Sequence, residues 1–344
     1  MNNMLLNKTA HNLDYWLQYY GSTWTMDCLY VFALTPLSLF SFIMNILALT
    51  VLSESSFKSA CLFRYLRLYV LNSSIISLFL ATTFVFASYR ILDFSNSYES
   101  IFYSSYFHGP FLLVFYTFGG LLEICISIER ALTFMPKRGL KKIINYKYFW
   151  LILIIFSFII NIPVFFLNHP TYDTVQLETG LTKRFYYWGI TDFAVSSAGI
   201  GIMYALYTIR DLISLVVKIG LNILTVHLIR KHFNRITGDS QAANSTIAKM
   251  RHSNTIDQAE SCAEKTYLTE VDRNLTYTGI IMCVLSSFEN AFVIVSYVLV
   301  NYNYLLSYLL FLLSYLFLAL KQFSNLLVLY SFNNFFREEF RKKF

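Results

Sequence analysis

Four ionisable side chains, Glu123, Lys218, Glu289 and Lys321, stand in stretches that are otherwise mostly Leu, Ile, Val, Phe and Ser. An ionised group in hydrocarbon costs about 2.5–3.5 kcal/mol on insertion scales, so such residues face other helices and pair with one another. Glu123–Lys321 and Glu289–Lys218 are the expected pairs. On the Lys218 segment, Asp211, Ser214, Lys218 and Asn222 share one helical stripe, with Arg210 beside it. Two chemistries suit such pairs: salt bridges that fix packing, or a conformational switch or ligand counter-ion. Breaking a buried pair strands a charge and costs about 3–5 kcal/mol, enough to bias a two-state equilibrium, so the two roles overlap.

A second charged group closes the run LLEICISIERALTF, Leu121–Phe134. At about 100° per residue, Tyr116, Gly120, Glu123, Ser127 and Arg130 fall on one narrow stripe. A helix that is apolar all round except for one polar stripe is a buried bundle helix whose stripe meets other helices. Glu129-Arg130-Ala131 ends it. Other chemistry is thin. There is no Gly-rich phosphate loop, no Cys or His pair at metal spacing and no nucleophile elbow. The expectation is therefore no enzyme, no cofactor and no metal.

The elements that position these charges follow from composition. The 344 residues are 56% apolar and 18% aromatic, and only 14% are charged, against about 25% in soluble domains. Scarce Gly and Pro suit long helices rather than a membrane β-barrel. Seven segments can span about 30 Å of hydrocarbon: Leu29–Leu52, Leu68–Tyr89, Gly109–Phe134, Tyr148–Leu167, Ala205–Leu228, Asn274–Val300 and Tyr304–Tyr330. Phe193–Leu206, ahead of the fifth, reads as a surface loop or as extra helical turns. The fold expected is an all-α membrane protein, a seven-transmembrane helix bundle followed by a short amphipathic eighth helix.

Lys and Arg set the orientation. Lys58, Arg64 and Arg67 fall in the first connection, five Lys and Arg between Lys137 and Lys147 in the third, seven between Arg230 and Arg273 in the fifth, and Arg337, Arg341, Lys342 and Lys343 in the tail. The opposite side holds only Lys8, Arg90, Lys183 and Arg184. The net charge of +7 thus belongs to cytosolic loops, not to a nucleic-acid surface. Residues 1–28 are expected outside, the bundle over 29–330 and the tail over 331–344 inside. The N-terminus lacks a charged start before an apolar core, so the first span is expected to act as signal anchor, and Asn7 is a glycosylation acceptor. Residues 235–272 read as a polar, disordered loop. In FNNFFREEFRKKF, Phe332, Phe336 and Phe340 recur every fourth position, which describes an interfacial helix with basic residues for anionic lipid.

This pattern resembles the rhodopsin-like G-protein-coupled receptors. Asn45 in FIMNILAL matches their first-helix Asn; Glu129-Arg130-Ala131 is similar to their Asp/Glu-Arg-Tyr triplet; Ser287-Phe288-Glu289-Asn290 stands where they carry Cys-Trp-x-Pro. Asn325 and Tyr330 resemble their Asn-Pro-x-x-Tyr with one extra residue and no Pro, and Glu270 lies twenty residues before Asn290, where an acid locks the Arg. The resemblance implies a receptor in the plasma membrane that couples an extracellular ligand to a heterotrimeric G protein. Glu129, Arg130, Glu270, Phe288, Asn325 and Tyr330 would form its switch, and Asn45, Ser77, Glu123, Lys218, Glu289 and Lys321 an intramembrane polar network. Ser77 replaces the second-helix acid that helps hold sodium, and Lys321 near Glu123 is expected to supply an internal cation instead. Ser105 stands at the family's disulfide position, and the loop opposite has no Cys. Lys321 is out of register with the retinal-binding lysine of opsins. Leu112 replaces the Asp of amine receptors, and an acidic outer face favours a basic peptide ligand. The divergent invertebrate orphan and neuropeptide receptors show such mixtures. Two other readings use the same charges: a transporter, and a seven-helix chemoreceptor channel with its N-terminus inside.

Overall fold

The computed structural model describes residues 28–57, 61–86, 97–133, 135, 146, 148–176, 182–247, 280–281, 284–296, 298–299 and 304–344. Asn7 and Glu270 lie outside the described residues. The transmembrane helices are α1 (Thr35–Leu52), α2 (Cys61–Phe86), α3 (Gly109–Thr133) and α4 (Phe149–Asn161), then α5 (Ser214–Ile247), α6 (Val284–Ser296) and α7 (Tyr304–Phe332); α8 (Asn334–Lys343) ends the chain. A π-helical turn, Tyr30–Leu34, leads into α1. Six of the described helices are long and apolar enough to cross a membrane, and α6 is a shorter apolar helix. The protein is an all-α, multi-pass membrane bundle.

Apolar composition dictates this. With no water to satisfy peptide groups in hydrocarbon, each span must close its hydrogen bonds within itself. Buried hydroxyls obey the same demand. Those of Ser41, Ser77, Thr117, Ser157 and Thr225 each donate to the carbonyl one turn earlier, at 2.7–2.8 Å.

Several boundaries differ from the sequence reading. The second helix begins at Cys61, so Arg64 and Arg67 are helical rather than in a connection, and the Arg67 Nε–H donates to the Phe63 carbonyl. The third and fifth spans are longer. Tyr98–Tyr103 and a π turn, Ser104–His108, lead into α3, and Ser197–Tyr207 and a second π turn, Thr208–Ile213, lead into α5. The ambiguous stretch before the fifth span is thus helical, as a short turn Asp192–Val195 and again from Ser197, where Ser196 is the cap and its hydroxyl accepts from the Gly199 amide. At the other end α5 continues to Ile247, into the stretch expected to be a disordered loop.

The chain divides into two compact units, one within Met1–Ile43, Asn72–Gly119 and Leu151–Arg210, the other within Met44–Leu71, Gly120–Trp150 and Asp211–Phe344. The boundaries fall inside helices, so α1, α2 and α3 each contribute residues to both.

The first unit holds an antiparallel hairpin of β1 (Asn168–Gln176) and β2 (Thr182–Ile190), with Tyr172 opposite Tyr186. The runs NHPTYDTVQ and TKRFYYWGI are rich in Thr, Tyr, Phe and Trp, which suit a pleated surface. No disulfide holds this hairpin, which has no Cys; Ser105 is buried, as a serine. Tyr186 instead meets Tyr98, in the turn before α3, edge-on with ring centroids 5.7 Å apart. The Thr191 amide donates to the Leu167 carbonyl at the hairpin base. Aromatic pairs of this kind contribute about 0.5–1.5 kcal/mol. Tyr186→Ala should therefore speed hydrogen exchange of the hairpin amides several-fold and leave the α3 amides unchanged; uniform exchange across both would contradict this anchor.

Also in this unit, the His108 Nε2–H reaches the Phe79 carbonyl at 2.7 Å and the Thr83 hydroxyl at 2.8 Å. Asn161 donates to Thr117 at 2.9 Å and Asn72 to the Phe115 carbonyl at 3.0 Å. Arg210 is buried over the rings of Tyr116 and Tyr207, at 5.6 and 5.3 Å.

In the second unit Asn333 caps α8, its side chain accepting from the Phe336 amide at 3.0 Å. Phe336 is fully buried and its ring lies 6.3 Å from that of Phe57. Arg341 and Lys342 are exposed on the other side, and Lys343 pairs with Glu54 near the end of α1. The amphipathic eighth helix expected from the Phe spacing is present.

Candidate functional site

The second unit gathers charges from four helices around one carboxylate. Glu123 of α3 is 1% exposed. Its Oε2 lies 2.6 Å from the Lys218 ammonium of α5, and its Oε1 lies 2.6 Å from the Lys321 ammonium of α7. The Tyr69 hydroxyl of α2 donates to Oε1 at 3.1 Å, and the Ser286 hydroxyl of α6 donates to Oε2 at 2.7 Å. Lys321 reaches Glu289 of α6 at 3.3 Å. Both ammoniums also donate to the Ser286 oxygen, Lys218 at 2.9 Å and Lys321 at 3.2 Å. Two carboxylates and two ammoniums make the cluster neutral. Buried charges persist only when paired and hydrogen-bonded in this way.

The helical surfaces explain how the groups meet. Gly120 is one turn before Glu123, and a β-carbon there would lie 3.7 Å from the Lys218 ammonium. A bulky residue at that position would occupy the path Lys218 takes. On α6, Ser286, Glu289 and Asn290 are all buried, spaced as one helical face.

The Glu123–Lys321 pair is found as expected. The Glu289–Lys218 pair is not: Lys218 goes to Glu123 and Ser286, and Glu289 shares Lys321 with Glu123. Phe288 also departs from expectation. It is 52% exposed, stacked on Phe317 at 6.1 Å, because the face that buries Glu289 and Ser286 turns Phe288 outward. Ser77 is buried, but its hydroxyl serves the Ser73 carbonyl of its own helix. Sequence reasoning missed Ser286 and Tyr69. The signal for Ser286 was its place, one turn before Glu289 on the same face.

A second polar contact joins α1 and α7. The Asn45 side-chain amide donates to the Gln322 carbonyl at 2.9 Å, and Asn325 donates to the Asn45 side-chain oxygen at 2.9 Å. At the end of α3, Arg130 is 5% exposed, and its Nε lies 3.7 Å from the Glu129 carboxylate, ion-pair range but beyond a good hydrogen bond. Tyr330 is engaged by α8. Phe340 packs edge-on against it at 5.4 Å, Arg341 donates to its hydroxyl at 3.4 Å and Arg337 lies 6.0 Å from its ring.

No protein-family model matches this chain, and no curated protein matches it. A solved structure does: the crystal structure of squid rhodopsin superposes with a TM-score of 0.62, over 92% of this chain and 85% of that one. The chain has the rhodopsin fold. The likeness is at 12% sequence identity and is a likeness of fold. In that fold's terms, the charge cluster joins the second, third, fifth, sixth and seventh helices, and Arg130 closes the third. Among the described residues no group of three or more His, Cys, Asp and Glu side chains is arranged to hold a metal ion.

Proposed function

We propose that this chain is a plasma-membrane receptor, N-terminus outside, that passes an extracellular ligand signal to a heterotrimeric G protein. The observation that carries the reading is the neutral, buried cluster around Glu123 in a chain of rhodopsin fold. It links helices that must part for an intracellular cavity to open. A transporter would need water to reach these charges, yet Glu123 and Glu289 are 1% exposed, Lys218 2% and Lys321 5%.

In the resting receptor Lys321 is the internal cation beside Glu123, and Glu129 holds Arg130, with Glu270 as a further acid. Agonist draws the sixth helix outward, and Arg130 then meets the G protein, with Tyr330 beside it once α8 yields. A ligand needs only a few kcal/mol of differential affinity to drive such a change. The ligand class we favour is a basic neuropeptide rather than a monoamine. Asp173, Asp192 and Glu99 carry negative charge near the hairpin, and Leu112, buried in α3, offers no counter-ion to an amine.

The test is G-protein recruitment in cells challenged with a library of amidated peptides, with wild type beside Arg130→Ala. The expected result is a peptide response that Arg130→Ala reduces at least tenfold at equal surface expression. A response undiminished by Arg130→Ala would refute the switch. An N-terminal epitope inaccessible on intact cells would refute the receptor reading as a whole and favour the chemoreceptor channel.

A further inference from the structure

The buried hydroxyls of Ser41, Ser77, Thr117, Ser157 and Thr225 spend their proton on the backbone of their own helix. Ser286 does not. Its proton goes to Glu123 Oε2 at 2.7 Å, and its two lone pairs accept from Lys218 at 2.9 Å and Lys321 at 3.2 Å. A serine oxygen has one proton to give and two lone pairs to offer, and here all three are used. Every one of these partners is charged, and the residue is 1% exposed. Among the described residues it is the α6 side chain that reaches Glu123 and both lysines together. Glu289 reaches Lys321 at 3.3 Å, a longer contact than the bond Ser286 makes to Glu123.

We infer that Ser286 is the positioning residue that holds α6 to α3, and that the release of its hydroxyl is the event that frees α6. This rests on the receptor reading for its consequence in signalling, and on geometry alone for the tie itself. The serine orients three charges at once. The proton given to Oε2 fixes the carboxylate plane, so that each oxygen faces one ammonium. Its lone pairs draw both ammoniums to the α6 side of Glu123. Without the hydroxyl, Glu123 keeps Lys218 and Lys321, and the link from α6 to these charges is reduced to the longer Glu289–Lys321 contact. The cluster then remains folded while α6 loses its shortest link to it.

The experiment separates the hydroxyl from side-chain volume by comparing Ser286→Thr with Ser286→Val. These two variants have nearly the same shape, and any cost of the added methyl groups is common to both. The full-length protein, in lipid nanodiscs and without G protein, carries spin labels at Thr133 of α3 and at Ile280, ahead of α6. The distance between them is measured for wild type and both variants, and basal G-protein activation is measured in parallel in cells. The expected result is a wild-type distance distribution for Ser286→Thr. Ser286→Val gains a longer component, and its basal activation rises about tenfold, the scale of one hydrogen bond to a charged group. Equal distance distributions for Thr and Val would overturn the proposal, whatever the signalling. A longer component in Val with no G-protein activation in any variant would uphold the tie and overturn the receptor reading.

Discussion

Glu123→Gln will lower the thermal stability of the purified protein more than any other single substitution in the cluster. One carboxylate neutralises two ammoniums at 2.6 Å each, so its loss strands Lys218 in a site that is 2% exposed and leaves Lys321 with Glu289 alone. Removing one partner of a buried pair costs about 3–5 kcal/mol. At about 2–4 °C per kcal/mol for a chain larger than a small domain, a midpoint shift on the order of 10 °C follows. The amide keeps the shape of the carboxylate and still accepts from Tyr69, so the loss reads charge rather than packing. Thermal unfolding in detergent, followed by a thiol-reactive dye on the buried Cys125, measures it. A midpoint within about 2 °C of wild type, less than one kcal/mol on the same scale, would mean that the ammoniums find water or other anions, and that the cluster is not closed.

The two lysines will not behave alike. Lys218→Met removes an ammonium whose carboxylate retains Lys321, so Glu123 stays paired. Lys321→Met leaves Glu289 without the lysine the structure gives it and Glu123 with Lys218 alone. The expected order of destabilisation is Lys321→Met well above Lys218→Met, by about 2 kcal/mol or more on the scale of a buried pair. A compensating change makes the assignment specific. Glu289→Gln should recover much of the stability lost by Lys321→Met, because Glu123 and Lys218 then remain as a neutral pair. Midpoints of the single and paired variants complete the comparison. If Glu289→Gln recovers none of the stability lost by Lys321→Met, Lys321 is not the base on which Glu289 depends.

That contrast shows where the sequence was legible and where it was not. The four charges are conspicuous because each is expensive in an apolar run, and the expense alone says they must meet. Which lysine meets which acid depends on the rotation of each helix and on which helices are neighbours, and no single segment carries that information. Glu123–Lys321 was nevertheless foreseen, whereas Lys218 was sent to the wrong acid. Phe288 was misplaced for a different reason. A motif resemblance put it at an interior position, whereas the spacing of Ser286, Glu289 and Asn290 already set the buried face of α6. Serine is common in membrane helices and usually bonds its own backbone, so the residue type at 286 hid its role, and only its place beside Glu289 pointed to it. The hairpin is hard to see in the sequence because its strands lie between two spans, where a connection is expected. The Thr, Tyr, Phe and Trp content of NHPTYDTVQ and TKRFYYWGI is the signal for its strands. The eighth helix is legible in its Phe spacing, but Phe332 ends α7 instead, and Phe336 packs on Phe57 rather than facing lipid, because contacts with a distant segment leave no mark in the tail itself.

The neutrality of the cluster around Glu123 has an evolutionary consequence. Any one-step loss leaves an odd charge sealed in the membrane, so a lineage cannot erode the cluster residue by residue without passing through weakened intermediates. Among descendants of this gene, positions 123 and 218 should be exchanged together, and 289 with 321, each time as one acid and one base. The least damaging first step is the loss of Lys218, whose acid retains a second base. Ancestry would then leave a signature of its own, in which acids at 123 with a base only at 321 outnumber bases at 218 facing no acid.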